Sequence, residues 1–267
     1  GLVVDAAMRI TAFNARYQNM MALPDNLLNS DGLKFEDVLH YIAQRGDFGV
    51  GDVEQTVQDR LQQVRLPVPH RFERVLANGQ TVEVLGTPLP LGGFVMLYLD
   101  VTSERQHQEQ LERLAHFDAL TGLPNRVLFA DRLRQGMLQV SRRGEQLAVA
   151  YLDLQGFMFV NYSYGLEVGH QLLLVLAARM KQALREGDTL ARLGGDEFVA
   201  VLLGAQGPPD GVTLLRRLLA AVDSPVTLLG RELRISVSIG VATYPQSQDV
   251  DAEQLLRQAD QAMYQAK

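Results

Sequence analysis

The spacing of apolar residues divides the 267-residue chain into two stretches with different rhythms. In the first, two short runs, GLVVD (1–5) and RITAF (9–13), are apolar or alternating and are separated by a polar turn, which predicts a hairpin. Asn14 is placed to cap a short helix reaching Met21, which Pro24 would end. KFEDVLHYIAQRG (34–46) has helical spacing and closes on Gly46, and DVEQTVQDRLQQV (52–64) reads as a second helix opened by Asp52. Three period-two runs follow: HRFERVL (70–76), QTVEVLGTPL (80–89) and FVMLYLD (94–100). Asn78-Gly79 between the first two is a hairpin signal.

SERQHQEQLERLAHF (103–117) is polar apart from a thin seam at Leu111 and Leu114, as a short parallel coiled coil requires, although a solvated linker helix has the same composition. Beyond it, helices and strands alternate. NRVLFADRLRQGMLQV (125–140) is helical, LAVAYLDL (147–154) is a buried strand, and EVGHQLLLVLAARMKQALRE (167–186) is a long amphipathic helix. TLARLGG (189–195) and EFVAVLL (197–203) are strands meeting at a tight turn. DGVTLLRRLLAAVD (210–223) is a helix, ELRISVSIGVATYP (232–245) one long strand, and DAEQLLRQADQAMYQA (251–266) a last helix. The expected fold of this half is α/β about a central sheet, with the chain α+β overall. The predicted units are 1–102, a helix over 103–117, and 118–267.

Composition narrows the function classes. With 25 Lys and Arg against 31 Asp and Glu, the net charge is −6, which argues against a nucleic-acid partner. The chain has no cysteine, so disulfides, thiolate catalysis and Cys-based metal sites are excluded. The longest apolar run, QLLLVLAARM, is too short to span a membrane. The chain reads as a cytoplasmic fragment of a longer protein, whose other segments can include a membrane anchor.

The candidate chemistry lies in RLGGDEF (192–198). Gly194-Gly195 permits positive φ and lets a ligand approach bare backbone. Asp196 and Glu197 follow at once, and Asp153 ends the strand LAVAYLD. Strand ends lying side by side can set Asp153 and Asp196 about one Mg²⁺, with phosphate oxygens completing its shell. After Asp153 the chain is expected to turn through LQGFMF, where the amides of Gly156 and Phe157 can hold phosphates, and Lys267 adds a positive charge.

Two strands, helices, then three strands closed by DVT over residues 1–102 resemble a PAS sensor domain. FDALTGLPNR (117–126), RLGGDEF (192–198), SVSIGVATYP (236–245) and ADQAMYQAK (259–267), in that order, resemble a GGDEF domain, the diguanylate cyclase module. That family joins two GTP molecules into cyclic di-GMP across two facing domains. The resemblance implies that Asp153 and Asp196 ligate Mg²⁺ with the Leu154 carbonyl, and that Glu197 is a second metal ligand or the base for the attacking hydroxyl. It also implies that Asn161 contacts guanine and Lys267 a phosphate. Arg185 and Asp188 of REGD fall where the family carries an R-x-x-D inhibitory site for cyclic di-GMP; otherwise they form a polar helix end. A homodimer is implied, as is a following phosphodiesterase (EAL) domain. The sensor ligand is open. Lack of cysteine excludes a flavin–cysteine adduct but leaves a non-covalent flavin, or a haem on His40 or His70, although a lone histidine is more often structural.

The family pattern DIDxFKxxNDxxGHxxGD is met in LDLQGFMFVNYSYGLEVGH by Asp153, Phe157, Asn161, Gly165 and Gly169. Gln155, Met158, Tyr162, Leu166 and His170 depart from it. Met158 removes a cation beside the phosphates. His170 replaces a guanine-binding carboxylate, and one imidazole acceptor cannot make both bonds. A lost charge-assisted pair costs about 1.5–3 kcal/mol. Besides a non-enzymatic cyclic di-GMP receptor through Arg185 and Asp188, three outcomes follow: a compensated active cyclase, a module that binds GTP and turns it over poorly, or an altered base preference. The second is the expectation adopted.

Overall fold

The computed structural model describes residues 1–49, 51–66, 68–204 and 208–267. It divides into two compact units, Gly1–Gln110 and Leu111–Lys267.

In the first unit, β1 (Leu2–Val4) and β2 (Ile10–Phe13) form the N-terminal hairpin. Asn14 caps α1 (Ala15–Met20) by accepting the Tyr17 N–H, and α2 (Asp25–Leu28) follows directly after Pro24. α3 (Phe35–Gln44) buries Phe35, Val38, Leu39 and Ile42, a 3-1-3 spacing that forms one helical stripe. α4 (Val53–Val64) starts at Asp52, whose carboxylate accepts the Gln55 N–H. β3 (His70–Val75), β4 (Thr81–Pro88) and β5 (Phe94–Asp100) complete an antiparallel sheet of order β2-β1-β5-β4-β3. Its inner face packs Val4, Val82, Val84, Phe94 and Met96 against α1 and α3. Asp100 accepts from both the N–H and the hydroxyl of Thr102, which opens α5 (Thr102–His116).

The second unit begins with α6 (Arg126–Arg143), capped by Asn125 and ended by Gly144 in the left-handed conformation. β6 (Leu147–Gln155) follows, then α7 (Phe157–Tyr164), α8 (Leu166–Ala183), β7 (Thr189–Gly194) and β8 (Glu197–Leu203). α9 (Pro208–Asp223), β9 (Val226–Leu228), β10 (Arg231–Leu233), β11 (Ser236–Tyr244) and α10 (Ala252–Ala266) complete it. The central sheet is antiparallel throughout, with order β11-β6-β8-β7. β6 is buried on both faces, which accounts for its unbroken apolar run. Ala148, Ala150, Leu152 and Leu154 face the α8 and α9 core, whereas Val149 and Tyr151 face α6 and α10.

Two expectations are corrected. ELRISVSIGVATYP is not one strand. β10 pairs with β9 in a separate ribbon and the main-sheet strand starts at Ser236. Val226–Leu228 had no alternation long enough to mark it, yet its pairing takes Arg231–Leu233 out of the main sheet. After Asp153 the chain does not simply turn. β6 runs on through Gln155, Gly156 takes φ +84°, and α7 begins at Phe157. Among the described residues, no helix is long and apolar enough to cross a membrane.

Candidate functional site

The site is built where β6 ends beside the start of β8. Their antiparallel register sets Asp153 opposite Glu197, and the Leu154 N–H donates to the Asp196 carbonyl at 3.2 Å. The turn before Glu197 needs its glycines: Gly194 has φ +147° and Gly195 φ +49°. No atom lies within 4 Å of where a Cβ would stand on either, so the turn presents open backbone.

Asp153 is buried and its carboxylate is shared. Gln155 Nε2 donates to Oδ1 at 2.6 Å, and Lys267 Nζ donates to Oδ2 at 2.8 Å. Lys267 arrives from the end of α10, which lies close on β11. A Cβ on Gly240 would stand 2.0 Å from the Met263 amide nitrogen, so only glycine admits this approach. The hydrogen bond to Asp153, and after it the charges of Asp153, Asp196 and Glu197, raise the Lys267 ammonium above its ordinary value. The three acids and the lysine thus share one electrostatic field. Among the described residues no three acidic or histidine side chains gather closely enough to hold a metal alone. Two carboxylates and a carbonyl would need phosphate oxygens to complete a shell.

On the other side stand α7 and α8. Gly156 offers no side-chain cap to α7, which leaves the first-turn amides, Phe157 among them, for an anion. Phe157 is buried. Asn161 points across to Gly169, where a Cβ would fall 1.8 Å from its Oδ1, and that oxygen is buried without a partner. Gly169 thus makes room for the Asn161 amide itself, which would have to turn outward to meet a ligand. His170, the next residue, is exposed. So are Met158 at 79% and Tyr162 at 93%, which leaves an apolar surface on α7.

Arg185 and Asp188 lie together at the other end of β7 from the glycine turn. The Asp188 carboxylate accepts the Arg185 and Leu203 N–H groups at 3.0 and 3.1 Å, so it serves this turn structurally, while the Arg185 side chain is exposed. In the first unit, His40 stands 3.7 Å from Glu54, and His70 packs on Phe72 against Gly86.

Sequence reasoning missed two supports. Arg192 pairs with Asp118 at 3.0 Å and donates to the Gly195 carbonyl at 2.8 Å, bracing the glycine turn from FDALTGLPNR. Burial acts to raise the Asp118 carboxyl, but hydrogen bonds from Thr121 and the Arg192 guanidinium outweigh it and hold it below the usual range. Tyr151 lies two residues before Asp153 on the same face. Its hydroxyl is pushed up first by burial, then by the charges of Glu197, which it faces, and Asp260. The clue to both was register: a polar residue two positions from Asp153, and an arginine two before the glycines.

An antiparallel sensor-type unit, followed by a unit whose acidic turn abuts a strand-end carboxylate, defines a two-part signalling protein. Residues 115–267 match the family described as diguanylate cyclase, GGDEF domain, and residues 2–109 match a PAS fold; the chain belongs to the GGDEF family. It is 42% identical over 193 residues to the bifunctional diguanylate cyclase/cyclic di-GMP phosphodiesterase MucR of Pseudomonas aeruginosa, covering 72% of this chain and 27% of MucR. It is 34% identical over 272 residues to an uncharacterized signaling protein of Caulobacter vibrioides, covering all of this chain and 32% of that one. The solved GGDEF domain of Pseudomonas aeruginosa TpbB superposes with a TM-score of 0.55 at 38% identity, covering 57% of this chain and 88% of that domain. The chain therefore spans about a third or less of these curated relatives. It has a diguanylate cyclase-type fold and is a cyclic di-GMP signalling module.

Proposed function

We propose that the second unit binds Mg²⁺-GTP at the β6–β8 junction, synthesises little cyclic di-GMP, and acts chiefly as a nucleotide-dependent regulatory domain under the first unit. The observation that carries the binding reading is the shared Asp153–Lys267 field beside the open backbone of the Gly194-Gly195 turn. The field suits metal and phosphate, and the bare turn lets a nucleotide approach. Asp153, Asp196 and the Leu154 carbonyl would hold Mg²⁺, which when bound neutralises and orients phosphate oxygens. Glu197, faced by the Tyr151 hydroxyl, would assist as metal ligand or base. Lys267, the amides of Gly156 and Phe157, and the bare backbone of Gly194 and Gly195 would receive the nucleotide. His170, exposed beside Gly169, would meet the guanine edge. Arg185 and Asp188 are kept as a weaker cyclic di-GMP site, since the Asp188 oxygens already accept two backbone donors. Likeness to MucR supports a longer protein that also carries a phosphodiesterase domain.

The poor-turnover reading rests on Met158 and His170. Losing both interactions would cost about 3–6 kcal/mol at about 1.5–3 each. If this fell wholly on the transition state, synthesis would slow roughly a hundred- to ten-thousandfold. The test is calorimetric titration with GTP and Mg²⁺, followed by chromatography of the products. The native chain should bind and yield little cyclic di-GMP, Asp196→Ala should lose metal-dependent binding, and Met158→Lys with His170→Asp should raise synthesis. Unchanged affinity in Asp196→Ala removes the site assignment. Vigorous synthesis by the native chain at micromolar GTP restores the ordinary cyclase.

A further inference from the structure

The Asp153 carboxylate has both oxygens engaged by the chain itself. Lys267 Nζ donates to Oδ2 at 2.8 Å and Gln155 Nε2 donates to Oδ1 at 2.6 Å. The acid is 10% exposed and the lysine side chain 36%, so the ammonium is the partner free to leave.

Two features set this ion pair apart. Lys267 feels the charges of Asp153, Asp196 and Glu197 together, and among the described residues no other lysine or arginine pairs with any of the three. Gln155 fixes the oxygen that the lysine holds. A carboxylate at that position, as the family pattern has, accepts and does not donate, so it could not make the bond to Oδ1. With Oδ1 tied, the Asp153 head does not rotate to offer a second oxygen while Lys267 keeps the first. An oxygen that keeps an ammonium at 2.8 Å cannot also take Mg²⁺ at about 2.1 Å from the same side, because the two cations would repel at contact.

We propose that Lys267 is an internal counter-ion standing in the metal's place at Asp153, so that a divalent cation enters only together with phosphate groups that draw the lysine away. This order of binding rests on the Mg²⁺-GTP reading of the junction. Phosphate oxygens give Lys267 new acceptors and complete the metal's shell, so both partners of the broken ion pair are satisfied. Metal alone brings no acceptor for the lysine. Gln155 is a positioning residue in this scheme, since it acts through Asp153.

The experiment is calorimetric titration of the whole chain with Mg²⁺ alone, with Mg²⁺ and guanosine, and with Mg²⁺ and GTP. The native chain should bind only the last at millimolar metal. Lys267→Met should bind Mg²⁺ alone about tenfold or more tightly than the native chain, and Mg²⁺-GTP more weakly. A merely structural role would move both affinities in one direction. Lys267→Arg, which keeps a cation and its donors, should still exclude the metal. Gln155→Met should gain affinity for Mg²⁺ alone, by less than Lys267→Met. Thermal melts give a second readout: Mg²⁺ alone should raise the Tm of Lys267→Met and leave that of the native chain unchanged. Native binding of Mg²⁺ alone as tight as that of Lys267→Met overturns the proposal. So does weaker binding of Mg²⁺ alone by Gln155→Met, or free metal entry in Lys267→Arg. Any of these results with Mg²⁺-GTP binding intact removes only the order of binding. A native chain that does not bind Mg²⁺-GTP overturns the site reading and this proposal together.

Discussion

Arg192 shows how one side chain can set the position of a ligand-facing turn without touching the ligand. Its fork spans the Asp118 carboxylate and the Gly195 carbonyl, so the glycine turn is fixed to the loop before α6. The Asp118 carboxyl is depressed in the folded chain, so the stability it contributes is present above its unfolded value of about 3.9. That stability is lost as pH falls through the lower folded value. Asp118→Asn should remove this acid-sensitive component. Denaturant melts should show the variant weaker than the native chain at pH 6, with the gap closing towards pH 3. A constant gap would mean the ion pair does not hold the turn. Asp153, Asp196 and Glu197 were legible because metal and phosphate chemistry demands carboxylates next to a permissive turn. Tyr151 was not, because Glu197 lies across a strand register that the sequence leaves unspecified, and Arg192 was not, because Asp118 comes from a loop 74 residues away. Lys267 was legible as a positive charge near the site, and Gln155 only as a departure from the family pattern. That both would share the Asp153 carboxylate depends on where α10 ends.

Among the elements, α10 matters most to the site, and its seat depends on Gly240. A side chain there meets backbone atoms of α10, Met263 N at 2.0 Å and Ala259 O at 2.1 Å, which cannot swing aside as a side chain can. Gly240→Val should cost about 1–3 kcal/mol through overpacking and shift Lys267 away from Asp153. It should lower both Tm and Mg²⁺-GTP affinity, whereas Lys267→Met should lower affinity alone. A valine variant with native Tm would refute the close-approach argument. Most elements were readable from period and caps: Asn14, Asp52, Asn125 and Asp251 each cap the helix that follows. α7 was missed because FMFVNYSY has apolar residues on all sides, a pattern with no face to read, and Met158, Phe159 and Tyr162 remain exposed in the folded unit. The β9–β10 ribbon was missed because three-residue strands carry too little alternation to separate from a neighbouring run.

For the molecule as a whole, α5 is the element that asks for a second copy. It buries no residue, and Leu111 and Leu114 stand 68% and 57% exposed on a helix otherwise mostly polar. A lone helix of about this length is marginal in water, so its stability has to come from packing. A parallel pair would cover the leucine seam and keep Glu and Arg at the flanks. The same pairing is what any joining of two nucleotides demands, since each second unit offers one candidate site. The whole chain should therefore dimerise, with light scattering giving twice the 29.6 kDa chain mass at high micromolar concentration. Leu111→Asp with Leu114→Asp should return it to one chain mass. Mg²⁺-GTP should still bind the monomer with unchanged affinity, because every residue assigned to the nucleotide lies within one second unit. Cyclic di-GMP synthesis, including any restored by Met158→Lys with His170→Asp, should disappear with the dimer. A native chain that stays monomeric at these concentrations, or a double aspartate variant that stays dimeric, would assign the pairing surface elsewhere and leave α5 as a connecting helix.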